Sequence, residues 1–145
     1  MINKPIPAFQ LPELFNSKKI ITNKNLLGHI TLLNVWATWC ATCMEEHSFL
    51  LSLSQSKDYV LLGYNYKDDA KLAKQWLKNN GNPYQFVIYD HSGIAAIDWG
   101  VYGTPETFII DKNGVIRYKQ IGILSPEIWE QKIQPFINQL KSESI

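Results

Sequence analysis

Cys40 and Cys43 are the only cysteines in the 145-residue sequence, and just two residues separate them. A disulfide framework that stabilises a fold spreads several cysteines along the chain and closes long loops. A bridge between Cys40 and Cys43 would close almost no loop and would remove little conformational entropy from the unfolded chain. The pair is therefore better explained by chemistry, and the chemistry of two neighbouring thiols is thiol–disulfide exchange.

The reactivity of a cysteine depends on its thiolate form, and a free thiol ionises only near pH ~8.5. Cys40 lies where a strand-like run gives way to a helical pattern, so unpaired N–H groups and the positive end of the helix dipole would face its sulfur. That placement brings the pKa of such a thiol to about 7. We expect Cys40 to be the more exposed, attacking sulfur. Cys43, on the same side of the first helical turn, would resolve the mixed disulfide and leave the pair oxidised.

Apolar periodicity and helix-capping residues predict the elements that position this pair. The predicted elements are strands over His29–Ala37, Tyr59–Tyr66, Phe86–Tyr89, Thr107–Ile110 and Val115–Ile121, helices from Ala41 to about Gln55 and from Asp68 or Asp69 to about Asn80, a helical turn or two over Ile94–Trp99, and a last helix that Ser125 caps. Met1–Leu27 is predicted to be irregular, and Pro135 to kink or break the last helix. A strand–helix–strand unit followed by a hairpin and a closing helix predicts an α/β fold with a mixed central sheet flanked by helices.

Composition limits the classes of protein to consider. The length predicts one domain over residues 1–145, and the 46% hydrophobic and 19% charged residues indicate a globular chain. A net charge of +1 gives no reason to expect nucleic-acid or lipid binding. The longest apolar stretch, around Ile30–Ala37, is far shorter than the ~20 residues of a membrane span, and Met1–Leu11 lacks the apolar core of a secretory signal.

Metal binding is the alternative use of a Cys-x-x-Cys pair, since half of a zinc site has the same spacing. Zinc would require further ligands, and the only other candidates of the Cys or His type are His29, His47 and His91. His47, one helical turn from Cys43, is better explained as a packing residue. Because the pair follows a strand and precedes a helix inside a βαβ pattern, we expect redox chemistry without a metal or other cofactor.

Several segments resemble the thioredoxin-like proteins of cytochrome c maturation, the CcmG/DsbE family. The segments that carry the resemblance are Asn34–Cys40, Glu45–His47, Asn65–Asp69, Gly81–Tyr84 and Gly100–Phe108. The resemblance extends from about Lys4 to the last helix, and it implies a thioredoxin-like fold with an N-terminal extension.

The family resemblance also implies a function and a location. Members are periplasmic reductants that act on the haem-attachment cysteines of apocytochrome c, or on a partner thiol protein, and a membrane thiol–disulfide transporter supplies their electrons. They are usually tethered by an N-terminal membrane anchor, which is missing here, so we expect this chain to be the soluble part, and we take a monomer as the default.

The resemblance assigns further residues to the site. It implies that Thr104–Pro105 is a cis peptide facing the dithiol, where the Thr104 backbone would pair with a substrate strand, and that Glu106 and Glu46 approach the cysteines. A carboxylate there would raise a thiol pKa or take the proton that Cys43 must lose. Two surface acids are the alternative, above all for Glu46. Trp39 is expected to flank the sulfur with a flat contact surface.

At two positions this chain differs from the residue that related proteins have. Family members commonly have proline where this chain has Ala41, which leaves the redox potential open. Thioredoxin itself has a buried, proton-accepting aspartate where this chain has Asn34, and a neutral amide cannot accept that proton. Asn34 therefore argues against a general cytosolic thioredoxin.

Other functions stay open at this point. A related TlpA/ResA-like or general thioredoxin-type reductase has the same dithiol, and a redox-inert module would use the same surface only to bind a partner. A peroxidase of the peroxiredoxin type needs an arginine beside its cysteine. The only arginine, Arg117, is predicted to lie far along the hairpin.

Overall fold

The structure is a computed structural model that describes residues 2–143. Its main sheet has five strands in the order β5-β4-β3-β6-β7, and β3 is parallel to β4 but antiparallel to β6. The elements are strands β1 Gln10–Pro12, β2 Ile20–Thr22, β3 Thr31–Trp36, β4 Val60–Tyr66, β5 Val87–Asp90, β6 Glu106–Ile110 and β7 Ile116–Ile121, and helices α1 Ala41–Leu53, α2 Ala70–Asn80, α3 Ile94–Asp98, α4 Pro126–Ile128 and α5 Gln134–Glu143.

This arrangement confirms the predicted α/β fold of the thioredoxin-like type. Each predicted strand and helix boundary between β3 and β7 lies within two residues of the observed one. The central strand β3 is buried along its whole length, as its unbroken apolar run predicted. Apolar clusters cover both faces of the sheet: Leu32 and Trp36 belong to one, and Leu33 and Val35 to the other.

The prediction of an irregular N-terminal segment was wrong in part. β1 and β2 form a small antiparallel pair, and a 3₁₀ helix follows over Asn23–Leu26. Glu13 attaches this segment to the main sheet, because its carboxylate accepts hydrogen bonds from the Phe15, Asn16 and Val87 N–H groups. Strands of three residues are too short to show a periodic pattern, which is why the sequence did not indicate them.

The last helix continues through Pro135 without a break. The turn before the proline widens into a π-helical segment over Trp129–Ile133, in which the Gln134 N–H bonds to the Trp129 carbonyl. Such widened turns accommodate a proline ring that would otherwise clash with the carbonyl of the preceding turn. The expected disruption is thus a local change of helix type. None of the helices within residues 2–143 has the length and apolar composition needed to span a bilayer.

Candidate active site

The two cysteines lie at the junction of β3 and α1. Cys40 is the N-cap residue of α1 with an extended backbone, and Cys43 is in the first turn. A disulfide joins them, and their Cα atoms are 5.3 Å apart. The Cys43 N–H donates to Cys40 Sγ at 3.1 Å. The sulfur of Cys40 therefore occupies the position where a capping oxygen usually accepts the first free N–H groups of a helix.

Exposure distinguishes the two cysteines, although both are largely covered. Cys40 exposes 7% of its surface and Cys43 exposes 2%, so the expected order holds. Trp39, immediately before Cys40, is 56% exposed. The ring of Trp39 is thus the large accessible surface beside the sulfur that a substrate would meet first.

Asp68 fixes the turn that carries Trp39 and Cys40. The Asp68 carboxylate accepts hydrogen bonds from the Thr38 N–H and the Thr38 hydroxyl, both at 2.7 Å, and from the Asn65 side-chain amide at 3.1 Å. The Trp39 indole N–H donates to the Lys67 carbonyl oxygen at 2.8 Å. The end of β4 therefore holds the active-site turn in place. Sequence reasoning put Asp68 at a strand end but missed this role, for which the Asn65–Asp69 segment was the available signal.

Glu46 is a buried residue, so the surface-acid alternative was wrong for it. Only 2% of its surface is exposed, and its two oxygens accept from the Asn34 side-chain amide at 2.8 Å and from the Leu124 N–H at 2.7 Å. Burial raises the pKa of Glu46 from 4.5 to about 7, although the two hydrogen bonds favour the charged form. This carboxyl can therefore gain or lose a proton near neutral pH, one helical turn after Cys43.

A buried polar network extends from Glu46 across the sheet. Asn34 is fully buried; its amide also donates to the Thr107 hydroxyl at 3.2 Å, and its carbonyl oxygen accepts from the Tyr84 hydroxyl at 2.8 Å. Burial raises the pKa of Tyr84 well above its usual range, so Tyr84 stays a donor. The Tyr84 hydrogen bond orients the Asn34 amide so that its N–H groups face Glu46. Sequence reasoning missed Tyr84, since its contacts depend on a loop of unpredictable path.

Glu106 is also buried rather than solvated. It exposes 1% of its surface, accepts from the Tyr102 and Gly103 N–H groups at 3.0 and 3.3 Å, and pairs with the Lys119 ammonium at 3.1 Å. Its carboxylate thus braces the loop that leads into Pro105. The Thr104–Pro105 peptide bond is cis, as the family resemblance implied. The assignment of Thr104, Pro105 and Glu106 to substrate binding stays a prediction.

Three residues considered for other chemistries, His47, His91 and Arg117, have partners elsewhere. His47 Nε2 is 2.8 Å from the Gly81 carbonyl oxygen, and His91 Nδ1 is 2.9 Å from that of Asp68. Residues 2–143 contain no group of three or more His, Cys, Asp or Glu side chains arranged to hold a metal ion. Arg117 pairs with Asp111 and Glu143, at the end of β6 opposite Glu106, so it cannot serve a peroxidatic cysteine.

A mixed sheet flanked by helices, a cysteine pair at the first turn of α1 and a cis-proline loop define a thioredoxin-fold thiol–disulfide oxidoreductase. The model of the Redoxin family matches residues 1–133. Together with the relatives described next, this match shows that the chain belongs to the Redoxin family and, within it, to the DsbE thiol:disulfide interchange proteins.

The relatives that carry the name thiol:disulfide interchange protein DsbE include those of Escherichia coli and Yersinia pestis. The chain is 46% identical to the DsbE protein of Escherichia coli K12 over 145 residues, covering 99% of this chain and 78% of that protein. It is 48% identical to the Yersinia pestis DsbE protein over 136 residues, covering 93% and 72%. A solved secreted thiol-disulfide isomerase of Corynebacterium glutamicum superposes with a TM-score of 0.76 at 21% identity, covering 92% of this chain and 85% of that one. This last likeness concerns the fold alone.

Proposed function

We propose that this oxidoreductase is a periplasmic reductant of cytochrome c biogenesis, which reduces the haem-site disulfide of apocytochrome c or the disulfide of a partner thiol protein. Membership of the DsbE family and the segments shared with cytochrome c maturation proteins support this proposal. The observation that carries the chemistry is the Cys43 N–H directed at Cys40 Sγ at the start of α1, because it stabilises a thiolate at the more exposed sulfur.

The proposed reaction transfers two electrons and two protons. The Cys40 thiolate attacks one sulfur of the substrate disulfide, forms a mixed disulfide and releases the other substrate sulfur as a thiolate, which takes up a proton. Cys43 then loses its proton and attacks Cys40 Sγ, which releases the second substrate sulfur as a thiolate that also takes up a proton, and leaves the Cys40–Cys43 disulfide. An upstream dithiol resets the pair by the reverse exchange. The proposed donor is a membrane thiol–disulfide transporter.

Glu46 is the proposed acceptor of the Cys43 proton. Its carboxyl lies one turn further along α1 and has a pKa of about 7, which suits a group that takes and returns a proton near neutral pH. Asn34 cannot accept a proton, so it acts on Glu46 only by donating a hydrogen bond. We propose no cofactor beyond the disulfide itself, and the protein would act as a monomer tethered to the inner membrane.

The other functions consistent with this site are a TlpA/ResA-like or general thioredoxin-type reductase and a redox-inert binding module. A redox titration tests the inert module, which would show no reversible dithiol couple between roughly −270 and −200 mV. Substrate choice tests the general reductase. The proposed protein should reduce the disulfide of a Cys-x-x-Cys-His peptide much faster than it reduces insulin, and equal rates would favour the general reductase.

Trapping tests the roles of the two cysteines. The Cys43→Ser variant should hold its partner as a mixed disulfide through Cys40, because the resolving sulfur is gone. The Cys40→Ser variant is the matched control and should trap little. If Cys40→Ser traps partners and Cys43→Ser does not, the proposed roles are reversed.

A further inference from the structure

A groove lies beside the dithiol, between the active-site turn and α2. Trp39 forms one wall, and Leu72 and Trp76 of α2 form the other; its volume is about 440 Å³. Trp39 and Leu72 are 56% and 55% exposed. Trp39 and Leu72 thus bring exposed apolar surface together at one opening, and contiguous apolar surface next to polar residues is typical of interaction sites, so the groove is a candidate interaction surface.

The far side of the groove is basic. Lys71, Lys74 and Lys78 follow one another along α2 at helical spacing and line a second hollow, which shares Gln75 and Asn79 with the groove. Within residues 2–143 none of these three lysines forms an ion pair. The three lysines contrast with the whole chain, in which 14 basic residues nearly balance 13 acidic ones.

The acidic residues that precede these lysines in the chain, Asp68 and Asp69, accept hydrogen bonds from other groups. Asp69 caps α2 by accepting from the Leu72 N–H at 3.0 Å. Asp68 is 6% exposed and accepts from Thr38 and Asn65. Neither carboxylate reaches along α2 to neutralise Lys74 or Lys78, so the positive charge of this helix face is available to a partner.

We propose that this surface, formed by Trp39, Leu72 and Trp76 with Lys71, Lys74 and Lys78, binds the acidic chain segment that flanks the disulfide of the protein partner. A partner sulfur that reaches Cys40 brings its flanking residues over the adjoining Trp39, so an apolar residue enters the groove and carboxylates face the lysines. The inference rests on the proposed function, because it concerns the partner of the same dithiol. Charge pairing at such a rim chiefly raises the association rate.

Two synthetic disulfide peptides test the proposal. They share one Cys-x-x-Cys disulfide and one neighbouring leucine, and they differ in three flanking residues, which are Glu in one peptide and Gln in the other. The reduced full chain should reduce the Glu peptide faster by roughly tenfold at low ionic strength, with an advantage that shrinks as salt is added. Equal rates for the two peptides would overturn the proposal.

Charge-reversal variants locate the effect. The Lys71→Glu, Lys74→Glu, Lys78→Glu triple variant should lose or reverse the preference for the Glu peptide. The matched control combines Lys18→Glu, Lys24→Glu and Lys132→Glu, which changes the net charge equally at three exposed lysines elsewhere, and it should keep the preference. An equal loss in both triple variants would overturn the proposal, because net charge alone would then explain the preference.

Further measurements separate this proposal from the chemistry and from other occupants. Hydroxyethyl disulfide, a small neutral substrate, should be reduced at the same slow rate by all three proteins. If the wild-type chain reduces neither this compound nor either peptide, the proposed function fails, independently of the docking surface. The surface could instead bind a membrane. In that case the wild-type chain would bind phosphatidylglycerol vesicles, the triple variant of α2 would not, and the wild-type chain would show no preference between the peptides. That result would overturn the proposal. If the wild-type chain self-associates, the triple variant of α2 does not, and the wild-type chain shows no preference between the peptides, the surface binds a second copy of the chain. That result would also overturn the proposal.

Discussion

Glu46 has a raised pKa because the fold removes it from water. It is 2% exposed, yet it lies one turn beyond Cys43 and accepts two hydrogen bonds, from Asn34 and Leu124. Desolvation opposes its charge more strongly than those two donors favour it, and the pKa rises to about 7. A carboxyl with this property stores a proton at neutral pH, and it also makes the stability of the fold depend on pH.

The first prediction concerns this pH dependence. Because folding raises the pKa of Glu46 from 4.5 to about 7, the folded protein holds the proton more tightly than the unfolded chain does. The contribution of Glu46 to stability is therefore complete below about pH 4.5 and is lost as the pH rises to about 7, with a loss of order 3 kcal/mol. Urea unfolding of the oxidised protein at several pH values measures it.

The Glu46→Gln variant isolates this contribution. The difference in unfolding free energy between wild type and Glu46→Gln should change over the same pH range. The amide also changes the stability by an amount that does not depend on pH, and this amount does not affect the comparison. Glu45→Gln, at the exposed neighbouring position, is the control and should show no such change. A pH-independent difference for Glu46→Gln would show that the buried carboxyl is not the titrating group.

The second prediction concerns Asp68. Replacing it by Asn leaves one oxygen for the Thr38 N–H, the Thr38 hydroxyl and the Asn65 amide and brings an extra N–H group against these donors. Hydrogen bonds to a charged group contribute roughly 1.5–3 kcal/mol each, so a loss of about 2–3 kcal/mol is expected. Asp69→Asn is the matched control, because Asn caps a helix about as well as Asp. Thermal or urea unfolding compares the two variants. Equal losses of stability would contradict the role of Asp68 in holding the active-site turn.

The sequence predicts the position and role of some site residues but not of others. The spacing of Cys40 and Cys43 and the strand-to-helix pattern around them were enough to place the dithiol at a helix start. Asp68 and Tyr84 could not be given their roles in the same way. Their partners, Thr38 and Asn34, lie 30 and 50 residues away along the chain, and such contacts depend on strand register and loop path.

At the level of elements, β4 shows how closely the central sheet packs. Gly63 lies opposite Asn34 in the register of β3 and β4. A Cβ atom at Gly63 would lie 2.9 Å from Tyr84 Cδ2 and 3.1 Å from Trp36 Nε1. The Tyr84 ring cannot easily move away, because its hydroxyl is bonded to Asn34 and its ring stacks on Trp36. Glycine at this position therefore makes room for the polar network around Glu46.

The third prediction follows from that contact. Gly63→Ala should destabilise the protein by about 1–3 kcal/mol, the usual cost of overpacking a core. Gly103→Ala is the control, since nothing lies within 4 Å of its added Cβ, and it should change the unfolding free energy by less than about 0.5 kcal/mol. If urea unfolding shows equal small effects for both, the packing argument at Gly63 is wrong.

The elements themselves were largely predictable, and the exceptions have physical causes. β3, α1, β4 and α2 follow from apolar runs and capping residues that act over a few neighbours. The β1–β2 pair could not be predicted because each strand has three residues and is held to the sheet by Glu13. The π-helical turn before Pro135 could not be distinguished from a kink, since both relieve the same clash.

At the scale of the whole molecule, the fold brings four separate segments to one edge of the sheet. The β3–α1 turn supplies the dithiol and Trp39, the end of β4 supplies Asp68, the loop before β6 supplies cis-Pro105, and α2 supplies the basic face. The chain has no large net charge to attract partners. Partner selection is therefore expected to depend on the local surface around Cys40 rather than on the field of the whole protein.

The proposed chemistry depends above all on stabilisation of the Cys40 thiolate by the first turn of α1. The direct measurement is a pH titration of the thiolate ultraviolet absorbance in the Cys43→Ser variant, which keeps the backbone N–H at position 43 and leaves one cysteine. We expect the pKa of Cys40 to lie clearly below the ~8.5 of a free thiol and to return to that value when the same variant is unfolded in urea. A folded-state pKa at or above ~8.5 would contradict it.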